Sequence, residues 1–141
     1  MNRSLRVVLF AAVPLFLARG AVAHHSYAMF DMSRSLQVTG TAAKLEWSNP
    51  HIFFWIYVPD SKQPSGSQVY AFEAGALVAM ARVGWDRDAV KAGEKVTVDY
   101  MPLKDGRPGG VLLKVTRENG KTLIGDPLTV QASKGLLKAG K

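Results

Sequence analysis

The chain has 141 residues, 48% hydrophobic and 21% charged, with 13 Gly, 7 Pro, no Cys and a formal net charge of +7. That length fits one domain, and the mixed composition excludes collagen-like and wholly disordered chains. The lack of cysteine excludes disulfides, thiolate zinc sites, iron–sulfur clusters, c-type haem attachment, a Cys nucleophile and a lipoprotein anchor.

At the amino terminus, Arg3 and Arg6 precede an apolar run from Val7 to Leu17, broken only by Pro14, and Ala21-Val22-Ala23 follows. This is the pattern of a Sec-type signal peptide with cleavage after Ala23. The run falls short of the roughly 20 residues that a membrane span requires. The expectation is a periplasmic or secreted protein starting at His24, with residues 1–23 removed and no stable membrane span. Arg3, Arg6 and Arg19 then leave with the signal, and Lys134, Lys138 and Lys141 lie in the tail. The remaining positive balance is small, which together with export argues against a nucleic-acid partner.

Residues 24–35 are polar and aromatic without a period and read as an extended lead-in. In Leu36 to Trp47, apolar residues occupy one parity at Leu36, Val38, Gly40 and Ala42, then the other at Leu45 and Trp47. Such a switch predicts a β-bulge near residues 42–44. Ser48-Asn49-Pro50 is a turn. His51 to Val58 is a second strand, β-branched and aromatic, with both faces apolar. After a Pro/Ser/Gly loop, Gln68 to Glu73 alternates as a third. Ala74 to Val83 has helical spacing ended by Gly84. Lys95 to Tyr100 and Val111 to Thr116 alternate as strands four and five, with Val111, Leu113 and Val115 inward. Asn119-Gly120 is a hairpin turn, and Lys121 to Ile124 reads as a short extra strand. Residues 126–141 read as a flexible basic tail.

Three strands, a helix and two strands describe an all-β domain with one short helix. This is the order of an OB-fold-like five-stranded barrel over residues 36–125. An SH3-like barrel or an α+β roll is the alternative.

The three histidines are His24, His25 and His51. If cleavage follows Ala23, the α-amine and imidazole of His24 can chelate one ion together, and His25 adds a second imidazole. Nitrogen-rich sites of this kind suit Cu(II). His51 begins strand two, and a lead-in folded back along strand one would just reach it. Met101 ends strand four; its thioether would favour Cu(I). Met29 and Met32 are further candidates. The competing reading leaves His24 and His25 solvated, uses His51 to satisfy a turn carbonyl and makes Met101 core filler.

A second candidate is the row Phe53, Trp55 and Tyr57, flanked by Asn49 and Arg107 in the loops after strands one and four, with Lys104 nearby. OB-folds bind ligands on this face, and aromatic rings stack on bases and sugars. The competing reading packs these rings as cover over the barrel, and Trp47 and Trp85 likewise. The sequence has no nucleophile elbow, phosphate loop or zinc-protease motif. Glu73 stands at a strand-to-helix junction, where a carboxylate favours the positive helix end, with no second carboxylate spaced to pair with it. An enzyme is not expected.

His24-His25-Ser26, Gly40-Thr41, Glu46-Trp47-Ser48-Asn49-Pro50-His51, Gly84-Trp85 and Lys91-Ala92-Gly93-Glu94-Lys95-Val96 resemble a family of small secreted bacterial proteins of unknown function, the domain of unknown function 6152 type. The resemblance runs over most of the chain from His24 to Ile124. It implies a single exported domain and puts both histidine-bearing segments into one pattern. It implies no activity, cofactor or catalytic residue. The expectation is a binding or accessory protein. It would hold copper through His24, His25 and His51, or, without metal, bind a periplasmic partner protein or small ligand through the aromatic face.

Overall fold

A computed structural model describes residues 27–131. The segment read as a signal peptide, His24, His25 and the tail beyond residue 131 lie outside the described residues. Strand β1 (Leu36–Glu46) is the hinge of the architecture. Its first half pairs antiparallel with β4 (Lys95–Pro102), and its second half pairs with β2 (Phe53–Pro59). Thr41 belongs to both ladders, opposite Tyr57 and Lys95, and the register slips between Ala42 and Lys44. The expected bulge is therefore where the strand changes partners and bends.

β2 pairs with β3 (Ser67–Glu73) along its whole length. The sheet closes through a parallel seam in which Ala71–Glu73 lie beside Gly109–Val111 of β5 (Gly109–Arg117). β4 and β5 pair antiparallel and complete the ring. The order β1-β2-β3-β5-β4 with helix α1 (Leu77–Arg82) between β3 and β4 is that of an OB-like barrel. It is not an SH3-like barrel or an open roll. β6 (Thr122–Ile124) extends the sheet on the far half of β5. The seam depends on Gly109, which has φ +124°; a Cβ there would collide with the carbonyl of Ala71.

Alternation fills the barrel as expected from β2: Ile52, Phe54 and Ile56 are fully buried. They meet Phe72, Val96, Val98, Leu112 and Val115 in the main core. α1 is shorter than its apolar spacing predicts. Ala74 and Gly75 stay paired to Ile52 through the Ala74 N–H to Ile52 carbonyl bond at 2.8 Å and the Ile52 N–H to Gly75 carbonyl bond at 3.2 Å. The helix starts only after this pairing ends. Its Met80 and the following Trp85 plug one end of the barrel. Trp85 meets Phe54 edge-on at 6.5 Å and donates its indole N–H to the Ile124 carbonyl at 2.7 Å.

β5 departs from simple alternation. The register slips opposite the Asp99–Tyr100 step and leaves Leu113 as the extra residue. Leu112 and Val115 therefore share the main core, while Val111 and Leu113 pack with Met101 under Phe30 in a second cluster. The inward set Val111, Leu113 and Val115 expected from parity is corrected by this bulge.

The lead-in supplies the cover for the second cluster. It does not fold back along β1. A 3₁₀ turn at Tyr27–Met29 leads to Phe30, which bridges Leu103 just beyond β4. The Asp31 N–H donates to the Pro102 carbonyl at 2.8 Å, and the Lys104 N–H donates to the Met29 carbonyl at 2.9 Å. Among the described residues no helix is long and apolar enough to cross a membrane.

Candidate functional site

Five separate pieces of chain, including Val111 of β5, meet at one edge of the barrel and line an open cavity of about 370 Å³. The lead-in contributes Tyr27, Met29 and Phe30, and the turn into β2 contributes Pro50 and His51. Glu73 to Ala76 come from the junction between β3 and α1, and Asp126, Leu128 and Thr129 follow β6. Such volume, with apolar walls and a few converging polar groups, is the usual form of a small-ligand site.

His51 follows the cis Asn49–Pro50 peptide. The pairing of Ile52 with Ala74 and Gly75 carries the β2–β3 ladder one step past its last strand residues, and this sets His51 beside Glu73. Nδ1 of His51 and Oε1 of Glu73 lie within hydrogen-bond distance, with side chains only 14% and 24% exposed. Glu73 thus serves the imidazole. It does not cap the helix, whose first turn begins after Ala76 with no side-chain cap. A carboxylate on one ring nitrogen fixes the ring and orients the other nitrogen, the arrangement typical of ligating histidines.

Asp126 is the third polar group. Its Oδ1 accepts N–H bonds from Leu128 at 2.9 Å and Thr129 at 3.2 Å, and its carbonyl accepts from Val130 at 2.9 Å. Asp126 is therefore an N-cap with Pro127 at the first helical position, a favoured pairing, and residues 127–131 are helical. Gly75 makes room for this carboxylate: a Cβ there would strike the Asp126 side chain. Thr129 is 2% exposed, and its hydroxyl meets the Tyr27 hydroxyl at 2.9 Å. The start of the segment read as a flexible tail is thus an ordered wall of the cavity. Asp-Pro before a Leu-Thr-Val run was the available signal. Together Glu73 and Asp126 give the cavity an anionic side in an otherwise basic protein, while Tyr27, Met29 and Leu128 form a rim 41%, 49% and 78% exposed.

Residues 13–114 match the Family of unknown function (DUF6152). The chain belongs to this family. It is the family that the histidine-bearing motifs resemble, and the match takes in β1 to β4, α1, His51 and Glu73 and stops within β5. No curated protein and no solved structure matches the chain.

The other residues singled out from sequence divide between core and surface. Met101 is fully buried against Phe30, Val111 and Leu113. It lies on the parity of β4 opposite to that of Val96, Val98 and Tyr100, which face the main core, and packs into the second cluster. Met32 packs against the same cluster. Met29 is the methionine that lines the His51 cavity. Among the described residues, no group of three or more His, Cys, Asp or Glu is placed to hold a metal ion.

The row Phe53, Trp55 and Tyr57 lies on the outer face of β2. Phe53 and Trp55 are half-buried with ring centroids 5.6 Å apart. Tyr57 is 49% exposed beside Val69, which is 48% exposed. Lys44 Nζ stands 5.1 Å from the Trp55 ring centroid, a cation–π contact. Lys44 also holds Glu46 at 2.9 Å, and that hydrogen bond keeps the Glu46 carboxyl below its ordinary range. Asn49 is exposed in its turn. Arg107 pairs with Asp105 within its own loop at 2.8 Å.

Proposed function

We propose that this protein is an exported binding protein that captures Cu(II) at the mouth of the His51 cavity, using the His24 amine and imidazole, His25 and His51. One observation carries the reading: the lead-in segment Tyr27–Phe30 lines the same cavity as His51. His25 and His24 precede Tyr27 by two and three residues, a reach of about 7 and 10 Å. That short reach supports a site shared by the amino-terminal pair and the third histidine.

The chemistry of the cavity supports a cation. Glu73 engages Nδ1 of His51 and fixes the orientation of the ring. Glu73 and Asp126 make entry of positive charge favourable. Amine and imidazole nitrogens match the preference of Cu(II). The protein binds its ion and does not transform a substrate.

The test is a Cu(II) titration of protein whose first residue is His24, against a competing chelator. Tight stoichiometric binding is expected. One residue added before His24, or His51→Ala, should weaken it by at least the roughly 10–100-fold that loss of an outer-sphere partner costs. Equal affinity in the extended protein overturns the amino-terminal chelate, and equal affinity in His51→Ala removes the cavity from the site.

The exposed Tyr57–Val69 pair favours a second reading, a metal-free partner-protein or small-ligand surface along β2. Tyr57→Ala would then abolish binding that the histidine variants leave intact.

A further inference from the structure

The cavity beside His51 carries fixed charge of one sign. The chain has 18 Lys and Arg against 11 Asp and Glu. Yet among the described residues that line the cavity there is no Lys or Arg, while Glu73 and Asp126 are both present. The two carboxylates share a wall. Glu73 lies two residues before Gly75, and Asp126 lays its carboxylate so closely on Gly75 that a Cβ there would strike Oδ2.

Each carboxylate is held by one oxygen and keeps the other. Oε1 of Glu73 faces Nδ1 of His51, and Oδ1 of Asp126 accepts the Leu128 and Thr129 N–H groups. Among the described residues no hydrogen bond or ion pair reaches Oε2 of Glu73 or Oδ2 of Asp126. Much of the remaining lining is apolar. Phe30, Ala74 and Val111 are each buried, and the Tyr27 and Phe30 rings stand 6.4 Å apart, tilted by 53°.

These surroundings select a ligand by chemistry. Ionised carboxylates only accept hydrogen bonds, so they repel an anion. An ammonium group donates to both, in charge-assisted bonds about twice as strong as neutral ones. The apolar lining favours a carbon body beside that head. A volume of about 370 Å³ lies at the small end of ligand sites, which suits one ring and a short chain. We propose that the cavity binds a small primary amine, its ammonium on Glu73 and Asp126 and its apolar body against Phe30, Ala74 and Val111. This goes beyond the copper reading. It uses no residue before Tyr27, and His51 enters only as the ring beside Glu73.

The experiment titrates three probes with one body and different heads, phenethylamine, phenethyl alcohol and phenylacetate, into protein beginning at His24. EDTA is present throughout, and amide NMR shifts report binding. The amine is expected to saturate the protein at least about tenfold more tightly than the alcohol, the difference that a hydrogen bond to a charged group supplies, and phenylacetate to leave the spectrum unmoved. Shifts should gather at residues 73–76 and 126–129 and spare Tyr57 and Val69. Asp126→Asn removes the charge and keeps the helix cap, since Asn caps as well as Asp. That variant and Glu73→Gln should each lose at least about tenfold in amine affinity while staying folded. Alcohol or acid bound as tightly as the amine, shifts centred on another face, undiminished affinity in both variants, or no amine binding at all overturns the inference. Because metal is withheld by EDTA, each of these results leaves Cu(II) capture to its own titration, and a protein that takes up no Cu(II) leaves the amine site standing.

Discussion

His51 and Glu73 show how a residue acquires a role from a neighbour it cannot see in sequence. Each alone has an ordinary explanation, a turn histidine and a carboxylate at a strand end. Together, half-buried and in contact, they form an oriented imidazole. Glu73→Gln keeps shape and removes charge. We expect it to weaken Cu(II) binding roughly 10–100-fold while the protein stays folded, as measured by titration alongside circular dichroism. The histidine was legible because the chain has only three. Its partner was not, because the β2–β3 register that sets them side by side depends on where a loop ends. Met101 was the opposite case: a strand-end methionine legible as a candidate, but buried under Phe30 because the lead-in covers its face of β4.

Among the elements, the short parallel seam between β3 and β5 and the helix after β6 are the most exposed to single changes. Gly109→Ala must fit a methyl against the Ala71 carbonyl at a positive φ. Strain of that kind costs at least about 1–3 kcal/mol, so a clear fall in the urea midpoint is expected. Asp126→Ala removes the Oδ1 acceptor of two N–H bonds in the first helical turn and should cost about 0.5–2 kcal/mol. Thermal unfolding measures that loss. Because Thr129 of this turn also meets Tyr27, protection of the Tyr27–Phe30 amides against hydrogen exchange should fall in the same variant. The β1 bulge was legible in the parity switch, since both halves of that strand carry enough apolar residues to show it. The β5 bulge was not. Gly109 to Val115 is apolar on both parities, and alternation carries no information when both faces are covered.

In the whole molecule, carboxylates held by hydrogen bonds set the acid limit. Asp31, Glu46, Glu94 and Asp105 all have carboxyl groups below their ordinary values, held there chiefly by Ser33, Lys44, Arg117 and Arg107 respectively. Lowered groups bind fewer protons in the folded state than in the unfolded one. Their stabilisation is complete above the ordinary value, 4.5 for Glu94, and is lost as pH falls through the lowered one. Arg117 joins β5 to Glu94 in the turn before β4, so Arg117→Gln should cost about 0.2–1 kcal/mol at neutral pH. It should also flatten the fall of stability with acid, as read from denaturant midpoints between neutral and acid pH. A variant with an unchanged acid slope would remove this pair from the account.

The sequence by itself determined the strand order, the helix between strands three and four, the first bulge and the family to which the chain belongs. These rest on alternation, turn residues and short motifs, which are properties of neighbours along the chain. Only the tertiary structure decided that the lead-in crosses the end of β4, that Glu73 orients His51, that Asp126 begins a helix on the cavity wall and that Met29 lines the cavity in place of Met101. The cavity exists where residues 27–30, 50–51, 73–76, 111 and 126–129 converge. That convergence follows from barrel closure and from two one-residue slips in register, each of which turns the side chains beyond it to the opposite face.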